Sequence, residues 1–448
     1  MENDPKNSRR ALLYGWLWRG TQLFAGPITL LFIANFLSAE VQGFFYTFAS
    51  LLALQSFFEL GFYIVVTNAA AHEWAKLSLG ADRKIEGDPS AKSRLLSLGR
   101  LVARWYGVAG IIFFCALLTT GFALFSAFDT TAVTWRAPWI ALCLIAALNF
   151  FGAPFVALLE GCGQVAEVHR FSFFQAMLSG VSGIVALALG LELWAAVVIA
   201  GGQLVGVSSL LLIRYRSFMM EFFQPPSGAK ILWAAELWPM QWRLGLSGVV
   251  YYFSYTFFVP VMFYYHGASV AGQMGMTLQI VSGIQTVALI WLKIQIPNFG
   301  VMVARKDFIR LDLLWLTTAK RTLGTFLAIS ALALGAFIVL GKYQIELADR
   351  VLPLELLGVF LAAGAFVNLI QSFAAYLRAH LTEPLLTMSV TCSLAVGMLT
   401  WLLGSKFGPA GVAWGYLGVM IIGATWACST YQYSKARWQK NRSIPAKV

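Results

Sequence analysis

Apolar residues gather in long runs along this chain, separated by short polar breaks. A helix needs about 20 mostly apolar residues to cross a bilayer. About twelve stretches meet that requirement. They are 11–37, 42–69, 101–126, 137–160, 170–190, 194–213, 243–265, 270–296, 320–341, 353–378, 384–404 and 410–433. The pattern predicts an all-α polytopic membrane protein. The first run continues from ALLYGWLWRG into TQLFAGPITLLFIANFL, too long for the apolar part of a signal peptide and without its small-residue exit.

The polar breaks differ in length and charge. On one side they carry Lys6, Arg9, Arg10, the cluster from Lys76 to Arg104, Arg170, Arg214, Arg216, Lys230 and Arg243. That side also holds the group from Arg305 to Arg321, Arg378, and the tail from Lys435 to Lys447. The other side keeps Arg136, Lys342, Arg350 and Lys406. Basic residues concentrate on cytoplasmic segments, so the protein is expected in the cytoplasmic (inner) membrane with both termini on the cytoplasmic side. The formal net charge of +12 is then a topology signal and a surface for anionic lipid headgroups, and it does not point to nucleic acid.

The longer inner breaks are informative. In 72–100, Leu95, Leu98, Leu101 and Val102 share one face and Arg94 lies on another, which predicts an interfacial helix. The break 214–242 contains Gln224-Pro225-Pro226-Ser227-Gly228 and marks a boundary. The division is 1–220, a linker 221–242, and 243–448. The halves also resemble each other. WRGTQLF from Trp18 and WRLGLSG from Trp242 open first helices, and Asn149 with Leu158 matches Asn368 with Leu377. An even number of helices per half makes this a parallel repeat, two six-helix bundles around a central cavity where substrate binds.

Charge inside a span costs on the order of 2.5–3.5 kcal/mol on insertion scales, so such residues face a partner or a cavity. Arg19, Glu59 and Lys293 are the cases here. Gly15, Arg19, Gln22, Gly26 and Thr29 form one helical face. It reads either as close packing with Arg19 reaching the surface or as a cavity wall. Gln55, Glu59, Tyr63 and Thr67 form another face. It reads as a packing network or as a titratable group that pairs a cation. Lys293 shares a face with Gln279, Ser282 and Thr286 in a helix that Pro297 is expected to end. It either reaches the interface or lines a cavity and binds an anion such as phosphate. At its expected depth it could face Glu59 across that cavity.

Other chemistry is sparse. Cys115, Cys143, Cys162, Cys392 and Cys428 have no metal spacing, and His72, His169, His266 and His380 lie at helix ends. No Gly-rich phosphate loop is present, so the sequence supports neither ATP hydrolysis nor a cofactor or metal site. The short, nearly uncharged outer segments argue against a membrane glycan polymerase or ligase, and no enzyme activity is expected.

LSAEVQGFFYTFASLLALQSFFELGFYIVV resembles the N-terminal signature of bacterial polysaccharide (O-antigen, lipid-linked oligosaccharide) flippases. These belong to the multidrug/oligosaccharidyl-lipid/polysaccharide exporter superfamily. The matching elements are the turn from Leu37 through Ser38, Glu40 and Gly43, then Glu59-Leu60-Gly61. In the second half, Gly272, Gln279, Lys293 and Pro297 are similar to the family's eighth helix, and GPAGVAWGYLG from Gly408 to the start of its last. The resemblance implies translocation of a polyprenyl-pyrophosphate-linked oligosaccharide by alternating access. Arg19 and Lys293 would then meet the pyrophosphate or acidic sugars. Gln22, Gln55, Gln279, Gln285, Asn149 and Asn368 would meet glycan hydroxyls. Glu59 would couple transport to a proton or sodium ion, or pair a cation. A polysaccharide polymerase or glycosyltransferases are the implied partners. The family often has a basic residue soon after its Glu-Leu-Gly, where this chain has Val65, Val66, Thr67 and Asn68. The rival reading is an ion-coupled small-molecule exporter of the same superfamily, whose cavity relies on carboxylates.

Overall fold

The computed structural model describes residues 14, 20, 26–80, 82–126, 133–225, 228–380 and 382–442. Among the described residues, nine stretches are long and apolar enough to cross a membrane, and Gly26–Phe36 and Ile290–Ala304 are shorter apolar helices. Gly267 (φ 87°, ψ 175°) and Gly408 (φ 61°, ψ −147°) each interrupt one of those stretches with backbone that only glycine adopts readily. Divided there, and with the two shorter helices assigned to the first and eighth spans, the set is the expected twelve long helices. The protein is an all-α polytopic membrane protein. Large apolar side chains such as Ile111 and Val108 lie exposed on its helices, as lipid-facing residues do.

The elements run as follows. α1 is Gly26–Phe36, α2 Ala39–Leu52, α3 Gln55–Glu59 and α4 Phe62–Trp74. β1 is Leu77–Leu79 and β2 Ile85–Gly87, and α5 is Pro89–Phe125. α6 is Arg136–Gly161, α7 Val165–Ala188, α8 Trp194–Ser208, α9 Arg216–Glu221 and α10 Trp238–Tyr255. α11 is Phe258–Ala288, α12 Ile290–Ala304, α13 Phe308–Lys342, α14 Leu354–Ala379 and α15 Leu386–Arg442. The chain forms two compact units, Met1–Tyr252 and Phe253–Val448.

The first unit explains the Leu37–Gly43 turn. Ser38 caps α2, its hydroxyl accepting from the Val41 N–H at 3.2 Å, and Glu40 sits in the first turn. Both satisfy the positive end of a helix. The second span is not the single helix expected over 42–69. It is broken into α2, α3 and α4, with Leu60 (φ 47°) and Gly61 (φ 66°) both left-handed. A left-handed non-glycine residue costs about 1–2 kcal/mol, so the break is held by its surroundings. α10 provides them. A Cβ on Gly61 would lie 2.3 Å from Leu244 Cβ, and one on Gly245 would lie 3.0 Å from the Leu60 side chain.

The segment 72–100 corrects a second expectation. Among the described residues no separate interfacial helix forms. β1 and β2 pair as an antiparallel hairpin, and the rest belongs to α5, which is 37 residues long. Asp88 accepts from the Ala91 N–H at 2.8 Å and Pro89 opens the helix, a start signal of known kind. The apolar face covers protein rather than lipid: Leu95, Leu98 and Val102 are each 0% exposed, and Gly99 faces the Phe222 ring. Arg94 binds Glu73 and Glu236, Lys92 binds Glu221 at 2.7 Å, and Ser97 accepts from the Ile231 N–H at 2.9 Å. The contacts of Glu221, Ile231 and Glu236 fasten segments 216–225 and 228–237 to the start of α5.

In the second unit, α11 to α15 pack around small buried polar contacts. Ser254 and Ser393 share a 2.6 Å hydrogen bond, and the His266 ring meets the Gly404 carbonyl at 2.7 Å. Trp315, Phe373, Tyr376 and Tyr431 form an aromatic cluster. At its edge Asp312 accepts from Tyr376 and pairs with Lys435, both at 2.7 Å.

Candidate functional site

The strongest candidate lies on α12 and α14. α11 stops at Ala288 and α12 resumes at Ile290, with the Lys293 N–H donating to the Leu289 carbonyl at 3.0 Å. Pro297 does not end this helix, as expected from sequence, but lies inside it. The interruption falls earlier, at Leu289, so Pro297 enters a helix already under way. Having no N–H, it leaves the Lys293 carbonyl without its usual donor. Lys293 is exposed, and its ammonium has no hydrogen bond or ion pair among the described residues.

Lys293 lines a cavity of about 310 Å³ with Leu289, Leu292, Ile296 and Gly300. The facing wall is Gln371, Ala375, Arg378 and Ala379 of α14. These four share one helical face, and the two alanines make it hollow. Arg378 donates from Nε and Nη2 to one oxygen of Glu383, at 2.9 and 2.7 Å. The cavity therefore combines apolar walls with two cations. It can hold an amphiphile with an anionic head.

The second candidate is the break in the second span. The Gln55 side chain and the Tyr63 backbone N–H both donate to the Glu59 carboxylate. Glu59 thus sits at the start of α4, where free N–H groups favour an anion. The Tyr63 hydroxyl donates to Glu160 of α6, and the Thr67 hydroxyl donates to the Tyr63 carbonyl at 3.0 Å. Gly161 lets α6 approach this closely: a Cβ there would lie 2.5 Å from the Thr67 carbonyl oxygen. Beside them Tyr106 is 0% exposed, and its hydroxyl has no hydrogen-bond partner among the described residues.

No protein-family model matches the chain, and no curated protein matches it. Solved structures do. One is a lipid II flippase, MurJ, in an inward closed conformation: TM-score 0.65 at 13% identity, over 94% of this chain and 87% of that one. Another is a multidrug resistance MATE family transporter of the MOP superfamily, inward-facing: TM-score 0.64 at 15% identity, over 92% and 96%. An outward-facing MATE structure gives TM-score 0.52 at 13% identity, over 96% of each chain. The chain has the fold that these structures share.

Within this fold the other sequence candidates divide. Arg19 and Gln22 lie outside the described residues. Gln55 and Glu59 come together, as above. Asn149 donates to the Ala200 carbonyl at 3.1 Å, between α6 and α8. Asn368 is 1% exposed and donates to Gln285 at 3.3 Å and to the Gly364 carbonyl at 3.0 Å. Both asparagines are engaged in helix packing. Gln279 is half-buried in α11. Sequence reasoning missed Arg378 and Gln371 as neighbours of Lys293, and Glu160 as the partner of Tyr63. The 371, 375, 378 spacing puts these α14 residues on one face but does not say that the face meets Lys293. Nothing local signalled the partner of Tyr63. Among the described residues no group of three or more His, Cys, Asp or Glu side chains could hold a metal ion.

Proposed function

We propose that this protein moves a polyprenyl-pyrophosphate-linked oligosaccharide across the cytoplasmic membrane by alternating access, for surface polysaccharide assembly. The observation that carries the reading is Lys293: an ammonium without a partner, on an apolar-walled cavity that Arg378 also lines. A cation inside an apolar setting is costly unless something uses it, and a diphosphate on a lipid uses it. Polysaccharide polymerase and glycosyltransferases are the proposed partners, and the distribution of basic residues supports cytoplasmic termini.

The test is removal of the gene. Lipid-linked oligosaccharide should accumulate on the cytoplasmic face and surface glycan should fall. Normal surface glycan would sink the reading. Lys293→Ala should cut flux about tenfold, as loss of roughly 1.4 kcal/mol of binding does, with the protein still inserted.

One observation favours a second reading, the ion-coupled small-molecule exporter. Tyr63 joins Glu59 to Glu160 in a carboxylate-bearing network. For such an exporter, loss of the gene would leave surface glycan unchanged and raise sensitivity to a cationic drug.

A further inference from the structure

The cavity between α12 and α14 belongs wholly to the second unit. At about 310 Å³ it sits at the small end of ligand pockets. It has room for a head and the first part of a chain, and not for an oligosaccharide. We propose that it seats a phosphate-headed lipid, with Arg378 as its second cation beside Lys293 and Glu383 as the counter-ion that the phosphate displaces. This rests on the reading of Lys293 as an anion contact for a lipid diphosphate and adds Arg378 as the second cation and Glu383 as the displaced counter-ion.

Three observations carry it. The walls supplied by Leu292, Ile296 and Ala375 suit a hydrocarbon chain, while Lys293 and Arg378 suit an anion. The pair formed by Arg378 and Glu383 is open, with side chains 56% and 51% exposed. Exposed pairs of this kind contribute little, so giving one up is cheap. Finally, Glu383 lies in the connection 382–385, ahead of α15. Its side chain can leave Arg378 without disturbing a helix.

The exchange has a chemical direction. Arg378 now spends two donors on a single carboxylate oxygen, Glu383 Oε1. A phosphate monoester carries about −1.5 to −2 charge at pH 7 and offers three acceptor oxygens. It can take the guanidinium fork in two parallel bonds and leave an oxygen for the Lys293 ammonium. A neutral headgroup offers nothing that replaces Glu383. The seat therefore selects phosphate heads over alcohol or sugar heads on the same chain.

The experiment titrates the purified full chain, in a maltoside detergent, with dodecyl phosphate. Stabilisation against heat reads occupancy, because a ligand that binds only the folded state raises the melting temperature. Dodecyl phosphate should stabilise the protein and dodecanol should not. Arg378→Gln and Lys293→Gln should each weaken binding about tenfold, the loss of a charge-assisted bond. Glu383→Gln should tighten it about threefold, since the competing charge is gone. Ala375→Phe, which fills the hollow and leaves both cations, should abolish it.

No tightening in Glu383→Gln overturns the counter-ion exchange, even if the Arg378 variant fails to fold. Inorganic pyrophosphate stabilising as well as dodecyl phosphate overturns the lipid seat. Intact glycan export without dodecyl phosphate binding removes the seat and leaves the proposed function standing. Binding of dodecyl phosphate by a protein whose loss spares surface glycan does the reverse.

Discussion

Glu59 and Lys293 both stand where a spanning helix is interrupted, yet the two interruptions treat charge in opposite ways. At Glu59 the helix stops outright, through left-handed Leu60 and Gly61, and α4 begins with unsatisfied N–H groups. The carboxylate accepts from one of them, Tyr63, and from Gln55. Its carboxyl group is engaged by the fold. At Lys293 the hydrogen-bond ladder continues from Leu289. The ammonium caps nothing and pairs with nothing among the described residues. Position in a membrane helix is therefore a poor guide to function by itself. What separates the two is whether the backbone beside the charge needs it.

Breaking the first region should have the largest effect. Gly61→Val places a β-branched side chain at φ 66° and against Leu244. Left-handed backbone costs about 1–2 kcal/mol and overpacking about 1–3 kcal/mol. The sum should appear as a clear fall in melting temperature of the solubilised protein. Gly300→Ala is the matching control in the second region. It is helical with open space beside it, so stability should hold or rise by up to about 1 kcal/mol. Equal losses in both would show that the break is not specially held.

Lys293→Ala comes next, and it should separate stability from transport. Flux should fall about tenfold while the melting temperature stays within the equivalent of about 0.5 kcal/mol. A large drop in stability would mean that Lys293, like Glu59, is bound into the fold. Glu59→Ala should behave oppositely. Loss of a side chain that caps a helix costs about 0.5–2 kcal/mol, and thermal denaturation would report it. A Glu59→Ala protein as stable as the parent would remove the capping account.

The membrane helices were legible because each needs a long apolar run whatever it packs against. Their ends were less so. α5 begins at Pro89 rather than near Leu101, because the Asp88-Pro89 cap lies in polar sequence that hydropathy passes over. α13 begins at Phe308 behind the Asp307 cap for the same reason. The break at Leu60-Gly61 was hidden because its cause is Leu244, distant in sequence. The candidate site divided in the same way. Lys293 is visible as a charge in an apolar run. Arg378 beside it depends on how α12 meets α14, and no spacing within either helix states that.

Glu59→Gln should have the smallest effect on stability and the most to say about the comparison. Its amide oxygen can still accept from the Tyr63 N–H and from Gln55, so the α4 cap survives in neutral form. Two changes then oppose each other. The hydrogen bonds weaken, because those to an ionised acceptor are roughly twice as strong. The cost of holding a charge inside a span disappears. The melting temperature should therefore move by the equivalent of no more than about 0.5 kcal/mol, and flux then reads the carboxylate's charge alone. Parental flux would make Glu59 a cap and nothing more, and would leave Lys293 as the functional member of the pair. A tenfold loss at unchanged stability would mean that the carboxylate has a transport role beyond capping. The network through Tyr63 to Glu160 would then become the place to look for it, and the ion-coupled reading would gain at the expense of the first.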